Sequence, residues 1–274
     1  MITLRPAKTF RFPVIAECIN PNVLEGKTLS EIEQLKLWEG NKQRSLCELF
    51  KVEQTRHESE PENIKVAIEG DVSKVRRIGT CMKNGEITIN GDAGMHLGGE
   101  MKGGKITVHG NAGAWAGTMM KDGIIEIHGN AGNYLGAPYR GSTAGMHGGK
   151  ITVFGNVGHE TGAFMKKGTI KICGSSGQFT GLRMHNGTIY VQGNCDERAG
   201  ACMRGGKIVV GGALQSVLPS FSIDNIKPRV KIDENETAQG PFYVFLGDLA
   251  ECGIGKLYAS KPKNPHLSFY ERLL

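Results

Sequence analysis

His109 and His128 stand 19 residues apart, and two imidazoles at one repeat position could bind a metal. The matching positions elsewhere hold Asn90, Phe154, Cys173 and Gln192, so the ligand set is incomplete. Cys173, Cys195 and Cys202 could seed an iron–sulfur cluster, but that chemistry needs four converging ligands and their repeat positions differ. Gly91-x-x-Gly94-x-x-x-Gly98 has the look of a phosphate-cradling loop. The pattern recurs along the chain without a following Gly-Lys-Ser/Thr, which makes it a device of the fold. No histidine, carboxylate and nucleophile assemble into a catalytic pattern. The sequence therefore assigns no catalytic, cofactor-binding or metal residue.

What positions these residues is a repeat. Gly91, Gly110 and Gly129 are 19 apart, as are Gly155, Gly174 and Gly193, and the step from Gly129 to Gly155 is 26. The extra seven residues are an insertion at 138–144, within APYRGSTAG, carrying Tyr139 and Arg140. Insertions in repeat proteins emerge as loops, often on a binding face. Met82, Met101, Met120, Met146, Met165, Met184 and Met203 keep the same register. Each unit opens on an alternating segment such as Ile87-Thr-Ile89 or Ile151-Thr-Val153, the signature of a short half-buried strand. Glycine supplies 32 of the 128 residues from Gly85 to Gly212, a density that would cost a helix about 1 kcal/mol at each site.

Short strands at a fixed period predict an all-β core, a right-handed parallel β-helix of about seven coils spanning 69–212. Residues 1–68 and 213–274 are expected to cap its ends. The methionines should form one inward column, and Leu97, Ala116, Leu135, Thr161, Thr180 and Ala199 another. Asp92, Asn111, Asn130, Asn156 and Asn194 follow the corner glycines and suit turns. Lys83, Lys102, Lys121, His147, Lys166, His185 and Arg204 each follow a column methionine and so form an outward cationic column. His96, Trp115, Tyr134, Glu160, Phe179 and Arg198 make a further column near the surface, where aromatics could dock a partner.

In the first flank, Thr28-x-x-Glu31 is a capping box that predicts a helix over 29–39, stopped by Gly40. Leu46–Val52 reads as a strand and 55–62 as a loop. In the last flank, 222–230 and 242–246 read as strands, and 264–274 as a short helix with Pro265 in its first turn. Seven cysteines without a CxxC point to a reducing, cytoplasmic setting. No apolar run reaches 18 residues, and MITLRPAKTF lacks the apolar core of a signal peptide. A net charge of +6 fits an acidic partner protein and is too weak to argue nucleic acid.

The 19-residue G-x-x-G-x-x-x-G repeat resembles the C-terminal glycine-repeat domain of the large subunit of glutamate synthase. The whole layout, including Phe245-Leu-Gly-Asp248, more closely resembles the C subunits of the tungsten or molybdenum formylmethanofuran dehydrogenases. That resemblance implies a scaffold in a complex that reduces CO2 with ferredoxin electrons, the first step of methanogenesis from CO2. There formate passes to a dinuclear metal site and is condensed with methanofuran to N-formylmethanofuran. It implies that the tungsto- or molybdopterin, iron–sulfur clusters and dinuclear site lie in other subunits. The chain would pack on the amidohydrolase-like and pterin-binding subunits. The alternatives are a structural subunit of a glutamate-synthase-like amidotransferase and a trimeric left-handed β-helix enzyme. The last expects coils near 18 residues. Asp196 and Glu197 depart from the repeat pattern and put only local geometry in question.

Overall fold

In the computed structural model residues 1–55 and 64–274 are described. The loop expected over 55–62 therefore falls almost wholly outside the described residues. The chain is mostly β, organised on a 13-stranded sheet whose central run is parallel.

The pairing follows the repeat. Ile87 pairs with Ile106, Ile106 with Ile125, and Ile125 with Ile151 across the insertion. The series continues through Ile170, Ile189 and Ile208. A second line of parallel bridges runs Val72, Ala93, Ala112, Ala131, Val157, Ser176, Cys195 and Leu214. The inward isoleucines, this second line and the methionine column are all buried, so three walls share one interior. Each of the seven methionines of the column has no exposed surface. Burying one such side chain contributes about 1.5–3 kcal/mol. No single repeat encloses such an interior alone; stacking supplies it.

Two kinds of close contact lock the register. A Cβ built on Gly129 would lie 2.7 Å from the Gly110 carbonyl oxygen, so the corner takes glycine because the preceding repeat is too near for a side chain. Beside it runs a polar ladder. Asn111 Oδ1 accepts the Asn130 N–H at 2.9 Å, Asn130 Oδ1 accepts the Asn156 N–H at 2.8 Å, and Asn156 Oδ1 accepts the Ser175 N–H at 2.8 Å. Each asparagine satisfies a backbone donor of the next repeat.

The flanks join the same sheet. Ile2–Pro6 pairs parallel with Lys65–Glu69 and antiparallel with Phe50–Gln54. At the other end Gly255–Ser260 adds a parallel strand to Lys207–Val210. The antiparallel strands Thr237–Gly247 and Ser222–Lys231 complete the sheet. The final segment, Pro265–Leu273, is a 3-10 helix with Pro265 first.

Two expectations for the first flank are corrected. The helix capped by Thr28 and Glu31 spans only Leu29–Glu33. Lys36–Glu39 is instead a strand between Val14–Ile15 and Lys42–Ser45. Glu39 pairs with Lys42, so Gly40-Asn41 forms a two-residue hairpin turn, with Gly40 at φ +59°. Gly40 thus reverses a hairpin; it does not stop a helix. Leu46–Leu49 is one helical turn, because Glu48 accepts the Ser45 N–H at 2.8 Å in a second capping box. The strand expected there begins only at Phe50.

Candidate functional site

In the repeats that follow, the amides of the phosphate-loop pattern are spent on the preceding repeat. Gly110 N–H donates to Gly91 O at 3.1 Å, Gly113 N–H to Ala93 O at 3.0 Å, and Gly129 N–H to Gly110 O at 2.9 Å. These amides hold repeat to repeat. The cysteines do not converge: Cys195 is buried in the second wall, while Cys173 and Cys202 are half-buried at other positions. Burial pushes the Cys195 thiol up from its ordinary value.

His109 and His128 do come together, with ring centroids 4.9 Å apart, and Phe154 continues the stack 4.8 Å from His128. Among the described residues, no three His, Cys, Asp or Glu side chains gather to hold a metal ion. The pair is the start of an exposed aromatic row on the outer side of the sheet.

That outer side is divided. Towards the C-terminal end the hairpin built from Ser222–Lys231 and Thr237–Gly247 covers it. Val230, Ile232, Ala238 and Phe242 pack there with Val209, Val244 and Tyr258. Lys150 Nζ meets Asp233 at 2.8 Å and Lys171 Nζ meets Glu236 at 2.6 Å, pinning the hairpin tip to two repeats. The Lys150 hydrogen bond holds the Asp233 carboxyl below its usual value. Towards the N-terminal end Ile124 and Phe154 are left 41% and 49% exposed.

A second surface is built from strained backbone. Arg77, His96, Trp115, Tyr134, Glu160, Phe179 and Arg198 all have φ between +56° and +66°. Four residues on, Cys81, Glu100, Met119, Phe164, Arg183 and Cys202 have φ between +52° and +58°. A left-handed L-residue costs roughly 1–2 kcal/mol, and bulky side chains rarely accept it. Here the turns from Arg77 to Phe179 are held by the next repeat: His96 N–H donates to Ala114 O at 3.0 Å and Trp115 N–H to Asn133 O at 2.9 Å. The conformation launches the side chains outward into a row. His96 stacks on Trp115 at 5.3 Å, and Trp115 on Tyr134 at 4.4 Å with 14° between planes.

The insertion folds back on this row, bringing Tyr139 to 5.4 Å from His96. Burial pushes the Tyr139 phenol up and the His96 imidazole down. Arg77 next to them is fixed by Glu17 at 2.7 Å. Spacing alone revealed the column but not its left-handed backbone or the return of Tyr139. The outward cationic column lies two residues beyond the second left-handed row. Its lysines, His185 and Arg204 are exposed, and His147 is half-buried. The chain thus offers extended aromatic and cationic surfaces, suited to binding other macromolecules.

No protein-family model matches the chain. It is 44% identical over 95 residues to the C subunit of the molybdenum-containing formylmethanofuran dehydrogenase 1 of Methanothermobacter marburgensis, a stretch covering 35% of this chain and 23% of that protein. It is 41% identical over 97 residues to the C subunit of the tungsten-containing formylmethanofuran dehydrogenase 2 of Methanothermobacter wolfeii, covering 35% and 36%. The chain thus spans about a quarter to a third of the length of these curated relatives. A crystal structure of the formyltransferase/hydrolase complex (FhcABCD) from Methylorubrum extorquens with methylofuran contains a chain 28% identical to this one. The two match with a TM-score of 0.80 over 94% of this chain and 99% of that one. The curated homologues of this chain are therefore C subunits of molybdenum and tungsten formylmethanofuran dehydrogenases, and its fold is that of a chain in a multi-subunit formyltransferase/hydrolase complex.

Proposed function

We propose that this chain is the scaffold subunit of a cytoplasmic formylmethanofuran dehydrogenase-type complex, which forms N-formylmethanofuran from CO2 and methanofuran. In this reading 69–212 is a right-handed parallel β-helix of about seven coils, capped by 1–68 and 213–274. The chain itself is non-catalytic, and its outer faces hold the amidohydrolase-like and pterin-binding subunits. Molybdenum or tungsten pterin, iron–sulfur clusters and a dinuclear metal site belong to those other subunits. The observation that carries the reading is the 41–44% identity to C subunits of molybdenum- and tungsten-containing formylmethanofuran dehydrogenases over 35% of this chain. The parallel ladder and the second line of bridges, both stepping by one repeat, support the coil.

A second reading has an observation of its own. The near-full-length match is to a formyltransferase/hydrolase complex, whereas the dehydrogenase matches cover about a third of this chain. In that reading the same scaffold serves formyl transfer without CO2 reduction. The curated relatives favour both over a glutamate-synthase-like assembly. Purification of the tagged chain from its native source, with subunit identification and metal analysis, tests them. Molybdenum or tungsten in stoichiometric amount supports the dehydrogenase. Formyl transfer without either metal supports the second reading. A chain that purifies alone, or with glutaminase and flavin subunits, defeats both.

A further inference from the structure

The outward cationic column ends in a cleft of about 330 Å³, lined by Thr143 of the insertion, Phe164, Arg183, His185, Arg204 and Glu251 among others. Arg183 lies with its guanidinium 5.6 Å over the Phe164 ring. That contact occupies one face of the guanidinium and leaves its in-plane N–H edge free, the edge that binds carboxylates in pairs. Both side chains leave left-handed backbone, at φ +55° for Phe164 and +52° for Arg183. Their amides donate to Leu182 O and Ala201 O at 2.8 Å, so the launch direction is fixed before anything binds. Among the described residues that line the cleft the one carboxylate, Glu251, is already engaged by Arg204 at 3.5 Å. Arg183 has no carboxylate partner among the described residues, and the cleft carries surplus positive charge.

The surplus continues along the column through Lys166 and, beyond the half-buried His147, Lys121, with successive repeat positions about 4.8 Å apart. Glu100, Asp122 and Glu251 interrupt this face. Carboxylates spaced along the row would repel a continuous phosphate backbone, yet they leave separate sockets between cations.

We propose that this face receives an acidic, extended segment of a partner polypeptide, with Arg183 gripping one carboxylate in the cleft. Lys166 and Lys121 neutralise the carboxylates that follow. The proposal rests on the reading of the chain as a subunit of an assembly and names the chemistry of one partner.

The test titrates the full chain with a labelled ten-residue peptide of alternating glutamate and serine, whose carboxylates are spaced, with a ten-residue thymidine oligonucleotide as competitor. Binding should weaken as salt rises. Arg183→Gln and Arg204→Gln should each weaken it about tenfold, the scale of a lost charge-assisted pair. Arg229→Gln, on the distant hairpin, should leave it unchanged, with circular dichroism verifying that all variants fold. The proposal is overturned if the wild-type chain ignores the peptide, if Arg183→Gln binds as wild type, or if the oligonucleotide binds more tightly. Failure of co-purification with peptide binding intact would instead count against the subunit reading.

Discussion

Tyr139 rests on His96 with 5.4 Å between ring centroids, although 43 residues separate them in the chain. The contact turns an insertion that could hang in solvent into part of the aromatic row formed by His96, Trp115 and Tyr134. Aromatic pairs of this kind are worth about 0.5–1.5 kcal/mol beyond their burial. Tyr139→Ala should therefore release the insertion with little effect on the stack. Limited proteolysis should cut at 138–144 several times faster, while the melting temperature falls by only a few degrees. Unchanged cleavage would mean the loop is held by something else.

The methionine wall predicts a larger loss. Met146 is fully buried at the repeat that follows the insertion. Truncating a buried methionine to alanine costs about 2–5 kcal/mol, because the cavity closes only partly. Met146→Ala should lower the unfolding free energy from urea titration by that amount, and Met146→Leu by less than about 1.5 kcal/mol.

Asn264 closes the end of the second wall. Its Oδ1 accepts the Leu214 N–H at 2.7 Å, and its Nδ2 donates to Gly212 O at 3.1 Å and Ser260 O at 2.7 Å. The residue is wholly buried, so removing the amide strands donors and acceptors away from water. Asn264→Ala should cost roughly 1–3 kcal/mol. Amide exchange should accelerate first at Leu214 and only later at Cys195.

Acid should loosen the hairpin over the outer sheet face. The Asp233 carboxyl sits below its usual value because of Lys150. A depressed carboxyl contributes stability above its unfolded value of about 3.9 and loses it as pH falls through the folded value. Urea midpoints should thus drop as pH falls below about 4, and Asp233→Asn should flatten part of that drop. An unaltered slope in the variant would assign the acid sensitivity elsewhere. The effect is modest, since Lys150 is 40% exposed and solvent screens the pair.

The repeat made much of the architecture readable. Isoleucines at 19-residue steps fixed which strands pair, and the methionines in register marked an inward wall, because period and burial are properties of local sequence. Trp115 and Phe164 show where reading stopped. Left-handed backbone is costly for such residues in isolation, and hydrogen bonds that their amides donate to the next repeat sustain it. Lys36–Glu39 failed for a related reason: Leu29, Ile32, Leu35 and Trp38 have helical spacing, yet strand partners on both sides took the last of them. The cover of the outer face by residues 230–238 depends on Lys150 and Lys171 meeting acids more than 60 positions away, which no periodicity encodes. Of the candidate surface, the columns were legible and the cleft around Arg183 was not.

The stacking also makes the molecule a ruler. Because each repeat must sit in register on the last, with glycine corners too close for any side chain, the body can grow or shrink only by whole units. Each unit moves the two ends apart by about 4.8 Å. Extra chain must escape sideways, as 138–144 does. Anything held at one end is thereby kept at a quantised distance from anything held at the other, and the number of repeats, not the identity of any one residue, sets that distance.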